Sequence, residues 1–315
     1  GRPTYSGSHP GYAYVAESSD GLRLLDVSIP SDPINLYTES SNVLYGIAVS
    51  GNYAYTVGLN YFRVYDISSR DPAQIGLFIL PTSGFDVAIK GNYAYIPAQY
   101  SGLRVINISI PASPTGAGFY DTPGNSTGVA IQGNYAFVAD GVTLQILNIS
   151  TPAAPTFVSS LATPVAAWDL AVEGDYVYVA DFTSLRIIDI STINIPVEVG
   201  HIDLPGTIWD VAISGNYAYV AAHDGGLRVI DISTPSAPVE VGFTTTAEQA
   251  RRVKVFNQLV YVADTSLGLL IFDITNPSKP VLAGASKSTF IGRDIALVNH
   301  AADADSDWCG DGMDT

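Results

Sequence analysis

Residues 215–242 read GNYAYVAAHDGGLRVIDISTPSAPVEVG, and residues 91–118 read GNYAYIPAQYSGLRVINISIPASPTGAG. The second aromatic of this phrase recurs as Tyr14, Tyr55, Tyr95, Phe137, Tyr178, Tyr219 and Tyr261, at intervals of 41, 40, 42, 41, 41 and 42 residues. A second marker keeps step with it: LRLLDVS from Leu22, FRVYDIS from Phe62, LRVINIS from Leu103, LQILNIS from Leu144, LRIIDIS from Leu185, LRVIDIS from Leu227 and LLIFDIT from Leu269. A repeat of this length sets the architecture before any single residue is weighed.

Each copy divides into four short runs, as in WDVAI from Trp209, YAYVAA from Tyr217, LRVIDIS from Leu227 and PVEVGFT from Pro238. Gly-Asn, Asp-Gly-Gly and Pro-x-x-Pro separate them, and these are turn formers. The runs are rich in Val, Ile, Tyr and Ala with little polar alternation, which suits strands covered on both faces. No segment carries a 3.6-residue period long enough for a helix. Four strands in about 40 residues, seven times over, is the arithmetic of a β-propeller.

A solenoid would need polar capping units at its ends. This chain instead begins at GYAYVA, the second run of a unit, and finishes with IGRDIALV from Ile291, a first run. The predicted fold is therefore all-β: a seven-bladed propeller of four-stranded antiparallel blades in one domain, residues 1–300. A strand at about 291–298 completes the N-terminal blade and removes open sheet edges. Residues 301–315 form an acidic tail.

The L-R-V-I-D-I-S runs, followed by P-x-x-P and preceded by G-N-Y-A-Y-V-A, resemble the LVIVD repeat family, found in secreted and cell-surface proteins of bacteria and archaea. The resemblance spans nearly the whole chain. Asn107 and Asn148 depart from it by replacing Asp, and Asn257-Gln258-Leu259 replaces the first half of GNYAY. It implies an extracellular or cell-surface location and this architecture, while the fold itself fixes no activity.

Composition narrows the partners. Hydrophobic residues make up 47% of the 315 and charged residues 14%, ample for a buried core. With 14 basic residues against 30 acidic ones, a net charge of −16 and no basic cluster, nucleic acid is not an expected partner. No apolar run is long enough to span a membrane. No charged leader precedes an apolar stretch, so a secreted form is expected to have lost its signal peptide. Cys309 is the single cysteine, which excludes a disulfide framework.

In a propeller, the loop into the innermost strand and the loop between the second and third strands open on one face. Two sets of residues are expected there. Tyr45, Phe85-Asp86, Trp168-Asp169, Trp209-Asp210, Arg251-Arg252 and Arg293-Asp294 lie at the inner strand; Glu17, Gln99-Tyr100, Asp140, Asp181, His223-Asp224 and Asp264 follow the second strand. The repeated Asp residues read best as acceptors for nearby backbone N–H groups. The ligand-binding candidates are the residues that break the repeat, with the tryptophans: Trp168, Trp209, His223, Arg251, Arg252 and Arg293. Aromatic faces and cations suit a sugar or peptide. An ion pair such as Arg252 with Asp294 would account for arginines without any ligand.

The tail offers a second site. Asp303, Asp305, Asp307, Asp311 and Asp314 stand at positions 1, 3, 5, 9 and 12 of a loop, the side-chain ligand positions of a calcium loop. Trp308 occupies position 6, where Gly makes the turn, and position 12 is Asp rather than Glu. The segment also resembles the Asp-rich loops of thrombospondin type 3 and dockerin-like modules. Calcium is thus the one cofactor expected, against the alternative of a solvated acidic linker or the start of a further module.

No catalytic constellation emerges. Gly124-Asn-Ser-Thr-Gly128 spells G-x-S-x-G, but a nucleophile elbow needs strand, turn and helix. His9, His201, His223 and His300 lack metal-ligand spacing. Asn125 is a plausible N-glycan acceptor in a loop. The expected function is a non-catalytic interaction, adhesion or structural module of a surface layer or filament. Its partners would be a surface protein or glycan, or further copies of itself. The rival is a polysaccharide-active enzyme using paired acids such as Asp169 and Asp210.

Overall fold

The computed structural model describes residues 11–18, 20–39, 42–246, 249–286 and 291–298. They form seven four-stranded antiparallel sheets, and no helix among them is long and apolar enough to cross a membrane. Six blades are consecutive in sequence. Blade 1 joins Tyr12–Glu17, Gly21–Asp26 and Ile34–Thr38 to the final strand Gly292–Val298. That strand pairs from Tyr12 opposite Val298 to Glu17 opposite Gly292, so the ring is closed by strand exchange as the sequence predicts.

The innermost strands are Gly292–Val298 in blade 1, then Gly46–Ser50, Ala88–Lys90, Ser126–Gln132, Asp169–Glu173, Asp210–Ser214 and Ala250–Phe256 in blades 2 to 7. The second and third strands of each blade are buried almost throughout, which explains their unbroken apolar runs. The core is divided into seven apolar clusters, one at each interface between neighbouring blades. One of them joins Tyr261 and Ile271 of blade 7 to Val15, Leu25 and Ile295 of blade 1. The outermost strands alternate and expose residues such as Phe119 and Phe243.

The D-x-S signature has a local cause. Asp26, Asp66, Asn107, Asn148, Asp189, Asp231 and Asp273 each accept a hydrogen bond from the backbone N–H two residues on, at 2.8–3.0 Å. The turn needs an acceptor and no charge, so Asn107 and Asn148 serve as well as Asp. The Gly-Asn turn has a similar logic. Gly215 takes φ 57° there, and in blade 7 Asn257 takes φ 52° in its place. Asn is among the few residues that tolerate this left-handed conformation.

Candidate functional site

In the run equivalent to WDVAI in each blade, the first two positions carry the chemistry. The second position is Asp294, Gly46, Asp86, Gly128, Asp169, Asp210 and Arg252 around the ring from blade 1 to blade 7. Asp86, Asp210 and Asp294 each staple two blades together. One carboxylate oxygen accepts from the N–H of the next residue at 2.8 Å. The other accepts from the following blade: from Val129 at 2.9 Å, Val253 at 2.8 Å and Ile47 at 2.9 Å respectively. The repeated Asp is thus a backbone acceptor in these blades.

Blades 5 and 7 depart together. Asp169 accepts from Leu170 N–H at 2.8 Å, but its other oxygen pairs with the guanidinium of Arg252, which also lies 3.7 Å from Asp210. Arg252 is buried. It spans past blade 6 to partners in blades 5 and 6, rather than pairing with Asp294 across the next interface. It is therefore committed to the channel wall.

The ring's Asp86, Asp169 and Asp210 share the wall of a channel cavity of about 530 Å³ with Lys254, with Ala48, Ala88, Ala130, Ala171, Ala212 and Ala296 and with their apolar neighbours. Lys254 stands in blade 7 where the other six blades have Ala. Burial works against its charge, but Asp294, Asp210 and Asp86 outweigh that and raise its pKa. Burial also raises Asp210, to about 7, and Asp294, each opposed by Lys254. Sequence reasoning overlooked Lys254. Aligning WDVAI with RRVKV exposes it, since Lys replaces an otherwise invariant Ala.

The first position is Arg293, Tyr45, Phe85, Thr127, Trp168, Trp209 and Arg251, again from blade 1 to blade 7. These side chains meet over the channel. Tyr45 stacks on Phe85 with centroids 5.1 Å apart, and Phe85 reaches Trp168 at 6.5 Å past the smaller Thr127. Trp168 meets Trp209 edge-on at 4.5 Å. Arg251 lies over the Trp209 ring at 4.4 Å and Arg293 over Tyr45 at 5.9 Å, closing the circle. From the second set of loops, Phe182 reaches both tryptophans at 6.2 and 5.8 Å, and His223 reaches Trp209 at 6.1 Å. The sequence reading did not single out Phe182, whose loop lacks the Gly-containing pattern of its counterparts.

Arg251 and Arg293 are bulged residues. The ladder passes from Ala250 to Arg252 opposite Asp264 and Ala263, and from Gly292 to Asp294 opposite Glu17 and Ala16. A bulge re-aims one side chain without moving the strand, and here it separates Arg251 at the mouth from Arg252 in the wall. Burial depresses the pKa of Arg251 to about 10 with help from nearby Arg293, and burial depresses Arg293 too.

Of the acids after the second strand, Glu17, Asp140 and Asp181 are buried and internally paired, whereas Asp264 is buried with one oxygen left without a hydrogen bond. Glu17 pairs with Arg23 and Asp181 with Arg186, which also reaches Glu198 at 2.9 Å. Asp140 accepts from Thr122 and Ser126 hydroxyls at 2.7 and 2.8 Å and from Gly124 N–H at 2.8 Å. Ser126 of the G-x-S-x-G run accordingly sits buried in a strand. Asp264 accepts from Ser266 and Leu267 N–H at 2.9 and 3.0 Å. His223 contacts the exposed Asp224 at 2.5 Å. Tyr100 is largely exposed, while Gln99 bridges to Ser126. Asp303, Asp305, Asp307, Asp311 and Asp314 lie outside the described residues. Among the described residues no group of three His, Cys, Asp or Glu is arranged to hold a metal ion.

The model of the LVIVD repeat matches residues 9–38, 45–78, 83–122, 123–163, 166–203, 205–246 and 247–287. No curated protein matches the sequence. Among solved structures, a protein from Lactobacillus plantarum superposes with a TM-score of 0.80 at 13% identity, over 92% of this chain and 100% of its own. The periplasmic gluconolactonase of Pseudomonas aeruginosa gives 0.78 at 14% identity, over 91% of this chain and 98% of its own. A protein of unknown function from Desulfotomaculum acetoxidans gives 0.76 at 12%, over 92% and 99%. These likenesses show a shared fold.

Proposed function

The chain belongs to the LVIVD repeat family, and from that premise we propose that it is a non-catalytic propeller of the cell exterior that binds its partner at the aromatic mouth of the channel. It works there as an interaction or adhesion module, or as a structural unit of a surface layer or filament. One observation carries this reading. The first inner-strand position alternates among Tyr, Phe, Thr, Trp and Arg from blade to blade, and its rings and cations gather at one end. Aromatic side chains with a polar handle are the usual anchors of binding surfaces. The acids beneath are engaged with backbone N–H groups or with Arg252, and this favours binding over acid–base chemistry.

Arrays of neutral glycans, acidic glycans and short peptides test the reading. Ligands retained by the parent protein should weaken by about tenfold or more in Trp168→Ala, in line with the loss of a central aromatic anchor. Turnover of a lactone or polysaccharide that disappears in Asp169→Asn would instead establish an enzyme.

For the tail, we propose a calcium loop built from Asp303, Asp305, Asp307, Asp311 and Asp314, on the strength of their spacing and hard oxygen donors. Calorimetry with calcium should give saturable heat that is lost in Asp305→Ala. Absence of heat with the parent chain removes the proposal.

A further inference from the structure

We propose that the mouth is an anion site selective for the carboxylate of an acidic sugar, held between Arg251 and Arg293 with its ring against the Trp168–Phe182–Trp209 surface. The inference rests on the mouth being the binding face, and adds the class of ligand.

The donors are already in place. Arg251 Nε, Arg293 Nε and Trp209 Nε1 are each buried and make no hydrogen bond. All three can only donate, so the missing partner is rich in acceptors. Leaving such groups unpaired is costly; several other buried arginines meet an acid, Arg23 with Glu17, Arg186 with Asp181 and Glu198, Arg228 with Glu240 and Arg252 with Asp169. Single N–H groups of Arg63, Arg104 and Arg228 are also left without a hydrogen bond, but only the mouth gathers three such donors at one place. Arg251 and Arg293 face aromatic rings instead, and Arg293 is close enough to disfavour the charge of Arg251. A carboxylate between them would relieve that repulsion and accept from both forks.

The net charge of −16 and the carboxylates just below the mouth limit how much negative charge the site favours. Each further charge on a ligand is repelled, which favours a monoanionic carboxylate over a dianionic phosphate. The surface beside the arginines is made of flat rings. Phe182 at φ 64° and His223 at φ 43° occupy the left-handed turn that Leu59 and Gln99 also adopt after the second strands of blades 2 and 3. In blades 5 and 6 that turn carries rings that contact Trp209. The resulting aromatic surface fits a ligand with a cyclic body, whose C–H face stacks while its carboxylate reaches the arginines. An extended acidic peptide would leave that surface poorly covered.

Calorimetric titration of the full chain with methyl galacturonoside (a monoanion), its methyl ester, an Asp-rich peptide and inorganic phosphate tests the assignment. The galacturonoside should bind saturably. Arg251→Gln and Arg293→Gln should each weaken it by about 10- to 100-fold, the worth of a charge-assisted hydrogen bond. Arg104→Gln, at the outer rim, should leave affinity unchanged. Melting curves of the two mouth variants that stay close to the parent's assign the loss to the site. Equal binding of the ester, tighter binding of the peptide or phosphate, unchanged affinity in both mouth variants, or no saturation by about 10 mM overturns the assignment. Ester binding that is lost in Trp168→Ala would keep the mouth as the binding face while removing the anion.

Discussion

Arg252→Ala destabilises the propeller by about 3–5 kcal/mol in urea denaturation, the cost of removing one partner from a buried ion pair. The size follows from what remains. Asp169 loses the guanidinium that occupies its second oxygen, and Asp210 loses a cation 3.7 Å away. Both acids are buried, and Lys254 alone is left to balance the carboxylates of the channel. Adding Asp169→Asn to Arg252→Ala should recover part of the loss, because the uncompensated charge disappears. A loss below about 1 kcal/mol in the single variant, as an exposed pair would give, would mean that solvent reaches this ring and that the cluster is not a structural clamp.

Gly284→Ala is expected to cost about 1–3 kcal/mol or more through overpacking, with Gly116→Ala as its mild control. Gly284 lies in the outermost strand of blade 7 against the first blade. A Cβ there would sit 2.0 Å from the carbonyl oxygen of Pro30 and 2.9 Å from Cα of Ser31, all backbone that no rotamer change can clear. The same contact recurs between Gly76 and Pro111, Gly118 and Pro152, Gly200 and Pro235, and Gly242 and Pro277, at 2.2–2.4 Å. A Cβ on Gly116 would approach only the Phe78 ring, at 3.4 Å. Since the Gly284 contact spans the interface where the ring closes, the expected result is faster unfolding as well as a lower midpoint. Equal midpoints for the two variants would show that blades 7 and 1 can separate without cost.

The fold was legible because a propeller writes its geometry into spacing. One blade consumes a fixed length of chain, and seven phrases at 40–42 residues leave little freedom. Swapping of the final strand was legible too, since IGRDIALV matches a first run and finds its place beside Tyr12–Glu17. The mouth residues could be located because they precede a recurrent Asp. Adjacent arginines were harder. Arg251 and Arg252 look alike in sequence, yet a bulge sends one to the mouth and the other into the wall. Partners from different blades, such as Arg252 with Asp169, are separated by two full repeats and leave no local trace. Phe182 was hidden for the opposite reason: its left-handed backbone runs against its residue type, so local preference points away from it.

The pairing that closes the ring also determines how the molecule meets mechanical load. Tyr12 is opposite Val298, so the start of the first strand and the end of the last lie at the same end of an antiparallel pair. Tension applied through residues 12 and 298 therefore peels the final strand away one rung at a time, instead of shearing all its hydrogen bonds together. Force concentrates on the first rung, and the ring opens at blade 1 while the six remaining blades still keep their own strands. A propeller loaded in this way yields early and in stages, and its resistance would lie in the Ile295 side chain clasped between blades 7 and 1 more than in the ladder.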